Sequence, residues 1–450
     1  MDPDRRVLTD GAVLVEGGRI AAVAPAAELE ASHPAAKRLD AGGGLILPGM
    51  VNTHTHLFQG LLKGLGDDRP LYRWLREMTA PASISLTEED CEAAALNGAV
   101  EAIRSGCTTL VDFMYVHPRP GLTDAVIRGL SRASIRAVVA RGFVTQGIEL
   151  GVPPALVEDV DSALADAERL IRLHRQPDAL IHIGTAPCLL WMVDEAALCA
   201  TRELTDQHGT LITYHLAETD FEVGYAQRTY GVPETDLLLR AGLLGPDLLA
   251  VHCTKLGQRD VRMLRASDVK VSHNPVSNMY LGAGVAPITD MLQAGMTVGL
   301  ATDGPASNNN QNMIQVLKYA ALLHKVSHED ATAMTAEKVL EMGTIDGARA
   351  IGLEDEIGSI EPGKKADIAV LSLDNPFIGP VHDPVSALVY AAVGSETRTV
   401  LIDGRVVMRD GVLTSLDEDD VRHRASVAAH GLAERAGLGG PRRAWRSVGY

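Results

Sequence analysis

Short apolar runs alternate with longer stretches of helical spacing through the middle of the chain. The apolar runs lie at 108–114, 135–140, 179–184, 210–214, 248–251, 269–271 and 297–300. Continuous apolar runs are typical of strands buried on both faces of a parallel sheet, and strand–helix alternation is the pattern of βα units. Over roughly 300 residues such units close most economically into one barrel. We therefore predict an α/β fold with a (β/α)8 TIM barrel over 49–354, and an open doubly wound sheet is the alternative.

Both ends of the chain show a different pattern, in which apolar and polar residues alternate one by one. This alternation runs through 11–48, where Gly-Gly pairs interrupt it, and returns at 366–371 and 399–408, where an Asp-Gly pair lies inside the second run. Alternation broken by such turns predicts antiparallel hairpins. We predict two parts besides the barrel: a small composite β-sandwich domain formed by 1–48 and 355–416, and a C-terminal helical extension and tail at 417–450.

The composition is that of an acidic globular protein. The 450 residues include 58 acidic and 41 basic side chains, which gives a formal net charge of −17, and 46% are hydrophobic. An acidic surface repels phosphate backbones and anionic headgroups, so we expect neither nucleic acid nor membrane as a partner. No apolar run approaches the roughly 20 residues of a membrane span, and the first residues are polar, which predicts a cytoplasmic protein. The five cysteines form no C-x-x-C pair, which argues against a disulfide framework and a thiolate zinc site.

Polar side chains stand where predicted barrel strands end. They are His54 and His56 after 45–51, His215 after 211–214 with Glu218 three residues later, His252 after 248–251, His273 after 269–272, and Asp303 after 298–302. Catalytic groups of such barrels lie at the C-terminal ends of the strands. Residues i and i+2 of a strand point to the same side, so His54 and His56 can reach one ion.

A single histidine carries little information, because the chain has 15 and most are expected on the surface or in the core. The pair His54-x-His56 alone supports a structural and a functional interpretation equally. The joint pattern is more specific, since independent placement would rarely put histidines, a glutamate and an aspartate at strand ends in this order. Imidazole and carboxylate are ligands of catalytic divalent ions.

Five motifs resemble those of the amidohydrolase superfamily. They are Pro-Gly-Met-Val-Asn-Thr-His-Thr-His at 48–56, His-Leu-Ala-Glu-Thr at 215–219, Ala-Val-His-Cys at 250–253, Val-Ser-His-Asn-Pro-Val-Ser-Asn at 271–278, and Ala-Thr-Asp-Gly-Pro-Ala-Ser-Asn at 301–308. Within the superfamily they are similar to the branch of S-adenosylhomocysteine/methylthioadenosine deaminases and s-triazine hydrolases, such as atrazine chlorohydrolase and melamine deaminase.

This resemblance implies a role for each residue. The metal would be bound by His54, His56, His215 and Asp303, the ring would be protonated by Glu218, the attacking water would be oriented by His252 and Asp303, and the substrate would be positioned in part by His273. Members with two metals carry a lysine late in the fourth strand, and 180–187 has none, so one divalent ion is implied. Zinc is expected and ferrous iron is the alternative, because imidazole does not choose between them. Close relatives commonly form homodimers or larger assemblies, and we expect the same here.

The expected reaction is hydrolytic deamination of an amino-substituted purine, pterin or s-triazine, with release of ammonia. Alternatives are hydrolysis of another C–N or C–halogen bond on a similar ring, and deamination of an adenosine derivative; Glu218 and His252 argue against a non-catalytic scaffold. Cys188 stands where nucleoside deaminases carry a histidine that contacts the ribose, which argues against a nucleoside. The sequence after Asp303 also departs from that of atrazine chlorohydrolase, so dechlorination is not supported.

The candidate substrate contacts lie in loops and motifs around these strand ends. They are His273, Trp74, Trp191, Asn278 and Ser307. An apolar wall with a few polar groups suits a flat ring. Trp74 lies on a helical run, 71–78, and fits a core position equally well.

Overall fold

The computed structural model describes residues 1–176 and 178–439. In chain order its strands are β1 (Gly11–Glu16), β2 (Arg19–Pro25), β3 (Leu45–Pro48), β4 (Met50–Thr55), β5 (Cys107–Met114), β6 (Arg136–Phe143), β7 (Ile181–Pro187), β8 (Ile212–Leu216), β9 (Leu248–His252), β10 (Lys270–His273), β11 (Val298–Leu300), β12 (Ile368–Leu371), β13 (Thr397–Ile402), β14 (Arg405–Arg409) and β15 (Val412–Leu413).

The α-helices are α1 (Ala26–Ser32), α2 (Leu71–Trp74), α3 (Ala80–Ile84), α4 (Glu88–Arg104), α5 (Leu122–Ala133), α6 (Val160–His174), α7 (Glu195–His208), α8 (Asp220–Tyr230), α9 (Glu234–Arg240), α10 (Gln258–Ala266), α11 (Pro275–Tyr280), α12 (Ile288–Gln293), α13 (Pro305–Asn308), α14 (Met313–His328), α15 (Ala336–Met342), α16 (Ile345–Ala350), α17 (Pro384–Ser386) and α18 (Glu418–Arg435). A π-helical turn, Leu75–Thr79, joins α2 to α3, so that these three segments form one helical stretch.

Strands β4 to β11 form one parallel sheet in which each strand lies beside the next one in the chain. The first and last strands meet where the N–H of Asp303 donates to the carbonyl of His54 at 3.0 Å. Beside it, the side-chain oxygen of Asn52 accepts the N–H of Thr302 at 3.0 Å. These bonds close the sheet, so the predicted (β/α)8 barrel is confirmed, and each apolar run used to predict it overlaps a barrel strand.

The barrel forms because its strands are apolar on both faces, whereas each outer helix is apolar on one face only. Every residue of β5 and β6 is buried, as a strand between a barrel interior and a layer of helices must be. The outer helix α4 starts at Thr87, whose side chain accepts the N–H of Asp90 while the Asp90 carboxylate accepts the N–H of Thr87. This capping box satisfies two backbone donors that the first helical turn leaves unpaired.

The two ends of the chain meet in a second, antiparallel sheet, as predicted. Strand β3 from the N-terminal part pairs with β12, which continues through β13 and β14 to β15. The hairpin β1–β2 packs on this sheet through Ile20, which is buried with Ala366 and Ile368. The exact division of the chain into 1–48 plus 355–416 and 49–354 stays a prediction.

The predicted C-terminal helix is present as α18, which packs against α4. Arg104 on α4 forms an ion pair with Glu418 at the start of α18, and Arg435 at its end contacts Asp90. The remainder of the predicted tail, from residue 440, lies outside the described residues. Within the part of the chain that is described, no helix combines the length and apolarity that crossing a membrane requires.

Candidate metal centre

Four side chains converge at the C-terminal mouth of the barrel. His54 and His56 come from the end of β4, His215 from β8, and Asp303 follows β11. The Asp303 Oδ1 atom lies 3.3 Å from His54 Nε2 and 3.5 Å from His56 Nε2. The Nε2 atoms of His56 and His215 are 3.3 Å apart. The structure thus brings together all four residues that the sequence predicted as ligands, although they lie up to 249 positions apart (303 − 54).

The hydrogen bonds of the imidazoles direct free nitrogen lone pairs at one point. The Nδ1–H of His56 donates to the carbonyl of Phe113 at 2.7 Å, and that of His215 donates to the carbonyl of Cys188 at 2.9 Å. Both facing Nε2 atoms are therefore acceptors, and two acceptors at 3.3 Å repel each other unless a cation lies between them. Neither ring nitrogen of the fully buried His54 has a hydrogen-bond partner among the described residues. These donors fit a divalent metal ion.

The charges of the cluster also suit a cation. Burial lowers the pKa of His54 to about 4 and that of His56 to about 3, so both rings are neutral at pH 7 and can act as ligands. Burial alone would raise the pKa of Asp303. The adjacent His54, 3.3 Å away, and the neighbouring His252 and His56 outweigh burial and hold the pKa of this carboxyl well below its usual range. The centre therefore offers three neutral imidazoles and one carboxylate.

Glu218 and His252 face each other beside this cluster. The Oε2 atom of Glu218 lies 3.6 Å from His252 Nε2, and its Oε1 atom has no partner among the described residues. Burial, followed by the charges of Glu222 and Asp303, raises the pKa of Glu218 well above its usual value. The Nδ1–H of His252 donates to the side-chain oxygen of Asn278 at 2.9 Å, which leaves Nε2 unprotonated. The pair thus combines a carboxylic acid with an imidazole base.

The backbone at these strand ends is strained. Ala217 has φ 47°, His252 has φ 68° and Asp303 has φ 61°, a left-handed conformation that is costly for residues with a Cβ. Such strain is found preferentially at functional sites, where the surrounding structure enforces it. Here the left-handed residues turn the chain out of the ends of β8, β9 and β11. Two of them, His252 and Asp303, are candidate site residues, and the third, Ala217, precedes Glu218.

Short hydrogen bonds fix the carboxylate of Asp303. Its Oδ2 atom accepts the hydroxyls of Ser277 at 2.5 Å and Ser307 at 3.1 Å, and its Oδ1 atom accepts the N–H of Gly304 at 2.6 Å. A Cβ at position 304 would lie 1.9 Å from the side-chain oxygen of Gln59, so only glycine allows Gln59 to approach. The hydrogen bonds from Ser277, Ser307 and Gly304 therefore hold the carboxylate of Asp303 in this orientation.

The metal cluster opens into a cavity, which we call the metal-side cavity. Its lining residues are His56, Gln59, Leu71, Trp74, Leu75, Tyr115, Cys188, Leu189, Met192, His215, Glu218, His252, Leu281, Asp303 and Ser307. Two of the candidate substrate contacts, Trp74 and Ser307, are among them. The indole N–H of Trp74 donates to the carbonyl of Ala306 at 3.2 Å, so this side chain is at once core and cavity wall.

The other three candidate contacts lie elsewhere. Trp191 lines a neighbouring cavity, and its indole N–H donates to Glu222 at 3.4 Å. Asn278 accepts the Nδ1–H of His252, on the side of the ring opposite the Nε2 atom that faces Glu218. His273 contacts His324 instead, with their Nε2 atoms 3.0 Å apart. Neither Asn278 nor His273 lines the metal-side cavity.

The sequence interpretation missed two polar residues of this cavity, Gln59 and Tyr115. The Gln59 amide lies 3.4 Å from the hydroxyl of Tyr115, and its side-chain oxygen has no partner among the described residues. Tyr115 directly follows the last residue of β5, so the rule that found the histidines, polar residues at strand ends, also predicts Tyr115. Gln59 carries no such signal, because it lies in a 3₁₀ turn three residues after His56.

Known proteins resemble this chain over nearly its full length. It is 40% identical over 93% of its length to the 5'-deoxyadenosine deaminase of Methanothermobacter thermautotrophicus, of which it covers 94%. It is 38% identical to the 5-methylthioadenosine/S-adenosylhomocysteine deaminase of Syntrophobacter fumaroxidans, with 95% of each chain covered.

Solved structures agree. A zinc-bound adenosine deaminase from Xanthomonas campestris superimposes with a TM-score of 0.88 at 30% identity, covering 96% of this chain and 95% of its own. An atrazine chlorohydrolase from Arthrobacter aurescens TC1 complexed with zinc superimposes with a TM-score of 0.90 at 24% identity, over 95% of this chain and 97% of its own. At that identity the second match shows the fold alone.

Two sequence profiles match the chain. The profile of the imidazolonepropionase-like composite domain of bacteria matches residues 11–36, which include the hairpin β1–β2 and helix α1. The profile of the amidohydrolase family matches residues 45–407, which include the whole barrel and every residue of the metal cluster. This chain therefore belongs to the amidohydrolase family.

Proposed function

We propose that this protein is a metal-dependent hydrolytic deaminase, which replaces the amino group of an N-heterocycle by oxygen and releases ammonia. The observation that carries the proposal is the pair Glu218 and His252, an acid and a base 3.6 Å apart at the edge of a three-histidine, one-aspartate cluster. The enzyme is a hydrolase of C–N bonds other than peptide bonds, as its family membership and its deaminase relatives indicate.

The proposed ion is a single zinc, bound by His54, His56, His215 and Asp303, with ferrous iron as the alternative. Three imidazoles and a carboxylate suit either metal. Zinc is favoured because the structurally similar adenosine deaminase from Xanthomonas campestris was solved with bound zinc. When bound, such an ion supplies a water molecule whose pKa is lowered from about 15.7 to near 7.

The residues around the cluster supply the proton transfers. His252, whose Nε2 is unprotonated, accepts a proton from the attacking water, and Asp303 orients that water with its fixed carboxylate. Burial raises the pKa of Glu218 well above its usual value, which favours the protonated carboxyl that can donate to the ring nitrogen beside the reacting carbon. The C–N bond to the amino group then breaks, and the amino group leaves as ammonia with the proton that His252 took from water, passed on through Glu218 or Asp303. As the ring carbonyl forms, the hydroxyl proton returns to Glu218, which restores the acid and leaves His252 neutral.

The substrate class is proposed as an amino-substituted purine, pterin or s-triazine. A second candidate, an adenosine derivative, is supported by the relatives that are named 5'-deoxyadenosine and 5-methylthioadenosine/S-adenosylhomocysteine deaminases. Against a nucleoside stands Cys188 in the cavity wall, since a thiol is a weak hydrogen-bond partner for a sugar hydroxyl. Hydrolysis of a C–halogen bond has no support beyond a shared fold.

Metal analysis followed by an ammonia-release screen with amino-heterocycles tests the proposal. Glu218→Gln is expected to keep the metal and lose about 10²–10⁴-fold in kcat, since the amide cannot donate an acidic proton. The matched control is Glu203→Gln on the exposed side of α7, which should leave metal content and kcat unchanged. Wild-type kcat in Glu218→Gln would contradict the acid assigned here.

Two further expectations stay predictions, namely a homodimer or larger homo-oligomer and a cytoplasmic location. Light scattering of the purified zinc-loaded protein measures the first directly. A monomer at the concentrations used for kinetics would contradict it.

A further inference from the structure

A second cavity adjoins the metal-side cavity. Leu75, Tyr115 and Met192 line both cavities and so form the wall that they share. The rest of the lining comes from the helical stretch 72–83, from the loop 144–156 after β6, and from Trp191. We call it the distal cavity, because none of the four predicted metal ligands lines it.

Most polar side chains in the wall of the distal cavity are already paired within the protein. The hydroxyl of Tyr72 donates to the carbonyl of Leu150 at 2.8 Å, and that of Ser83 donates to the carbonyl of Thr79 at 2.7 Å. The described lining residues include no Asp, Glu, Asn, Gln or His. The one charged side chain, that of Arg76, belongs to an exposed residue.

This wall discriminates between two kinds of substituent on a heterocycle. Sugar hydroxyls that leave water need hydrogen-bond partners, and burying them without partners is unfavourable. The described lining of the distal cavity has no carboxylate or amide for a vicinal diol, whereas the unpartnered side-chain oxygen of Gln59 lies in the metal-side cavity. An apolar group gains free energy from the same transfer.

We propose that the distal cavity binds an apolar, non-sugar substituent of the heterocycle, while the reacting ring occupies the metal-side cavity. The proposal rests on the deaminase function stated above, because it assumes that the amino-bearing ring faces Glu218 and His252. Leu75 and Met192 suit the junction between ring and substituent, since a thioether side chain adapts readily to a bound group.

Three probes that share one ring test the proposal: adenine, 9-benzyladenine and 5'-deoxyadenosine. With the zinc-loaded protein, kcat/KM for 9-benzyladenine is expected to exceed that for 5'-deoxyadenosine by about 10-fold, the effect of burying one apolar group. Ala80→Phe fills the distal cavity and should lower kcat/KM for 9-benzyladenine about 10-fold more than that for adenine. The control Ala27→Phe, at an exposed position of α1, should leave this ratio unchanged.

Leu150→Ala provides the opposite change, because it enlarges the cavity. This variant should raise kcat/KM for 9-(naphthylmethyl)adenine relative to 9-benzyladenine. It replaces Ala80→Phe as the test if thermal melting shows that Ala80→Phe does not fold. A preference for 5'-deoxyadenosine over 9-benzyladenine, or ratios that neither variant shifts, would overturn the proposal.

Binding separates a failure of this inference from a failure of the deaminase function. If no probe releases ammonia, titration calorimetry on the zinc-loaded protein gives the dissociation constants instead. Tighter binding of 9-benzyladenine than of adenine, abolished in Ala80→Phe, would support the distal cavity while the deaminase proposal fails. Equal binding of the two probes would overturn the inference itself.

Discussion

Glu234 lies in none of the motifs that predicted the site, yet it supports the turn that carries Glu218. One of its carboxyl oxygens accepts the hydroxyl of Tyr214 at 2.7 Å, and the other accepts the N–H of Ala217 at 3.1 Å. These residues flank His215 and precede Glu218, and Ala217 has the strained φ of 47°. A single buried side chain thus holds the link between a metal ligand and the acid of the proposed reaction.

Replacing Glu234 by alanine is expected to lower both stability and kcat. Two buried donors lose their acceptor, which costs about 1–3 kcal/mol each in free energy of unfolding. Relaxation of the turn moves Glu218, and a displacement of about 1 Å can cost 10²-fold in rate. Metal content should persist, because the carbonyl of Cys188 still orients His215. Urea unfolding, metal analysis and kcat with KM measure these effects.

Glu234→Gln is the matched control for that variant. Burial raises the pKa of Glu234 to about 8, so the acid is mostly protonated at pH 7. In the glutamine variant the amide oxygen can still accept the N–H of Ala217, and the NH2 group can donate to the hydroxyl of Tyr214. The glutamine variant should therefore recover most of the lost kcat. An alanine variant with wild-type kcat would show that Glu234 has no positioning role.

At the scale of elements, the seam between β4 and the residues after β11 joins the two halves of the metal cluster. Fully buried Asn52 accepts the N–H of Thr302 at 3.0 Å and donates to the hydroxyl of Thr302 at 2.8 Å and to Gln311 at 3.1 Å. His54 follows Asn52 by two residues on one side of the seam, and Asp303 follows Thr302 on the other. The side chain of Asn52 therefore sets the distance between two proposed ligands.

Asn52→Ala is expected to weaken metal binding as well as the barrel. The unpaired N–H of Thr302 should cost about 1–3 kcal/mol in free energy of unfolding. Loss of a group that positions ligands typically weakens metal affinity about 10–100-fold. Zinc titration against a competing chelator measures this change. Gln207→Ala, at an exposed position of α7, is the control. Equal zinc affinity in both variants would contradict the role of the seam.

Prediction from sequence succeeded for elements whose pattern is local. The barrel strands are continuous apolar runs, and the ligands follow them directly, so strand ends such as those before His215 and Asp303 carry the signal in adjacent residues. Gln59 could not be found in this way, because its place in the cavity depends on the missing Cβ of Gly304, 245 positions away (304 − 59). Trp191 was expected in the same pocket as Trp74. The wall formed by Leu75, Tyr115 and Met192 instead divides that space into two cavities, with Trp191 in one and Trp74 in the other.

At the scale of the whole molecule, one buried ion pair joins the barrel to the sheet formed by the chain ends. Arg136, the first residue of β6, contacts both oxygens of Asp367 just before β12, with Nε–Oδ2 at 2.8 Å and Nη2–Oδ1 at 3.0 Å. The same carboxylate accepts the N–H of Asp403 at 2.8 Å, and the backbone carbonyl of Asp367 accepts the N–H of Gly49 at 2.9 Å. Asp367 therefore connects the N-terminal ends of barrel strands β4 and β6 to strands β12 and β13 of the second sheet.

Arg136→Met is expected to destabilise the protein by about 3–5 kcal/mol, because it leaves the buried charge of Asp367 without a partner. Adding Asp367→Asn to this variant should recover most of the loss, since the amide oxygen still accepts the N–H of Asp403 and no charge remains. Arg128→Met is the control: its exposed pairs with Glu88 and Glu92 are worth about 1 kcal/mol or less. Urea unfolding at fixed zinc concentration gives the free energies, and hydrogen exchange over 366–371 reports whether the second sheet opens before the barrel. Arg136→Met with the stability of Arg128→Met, or a double variant no more stable than Arg136→Met, would show that the two parts are held together by their apolar contacts rather than by this ion pair.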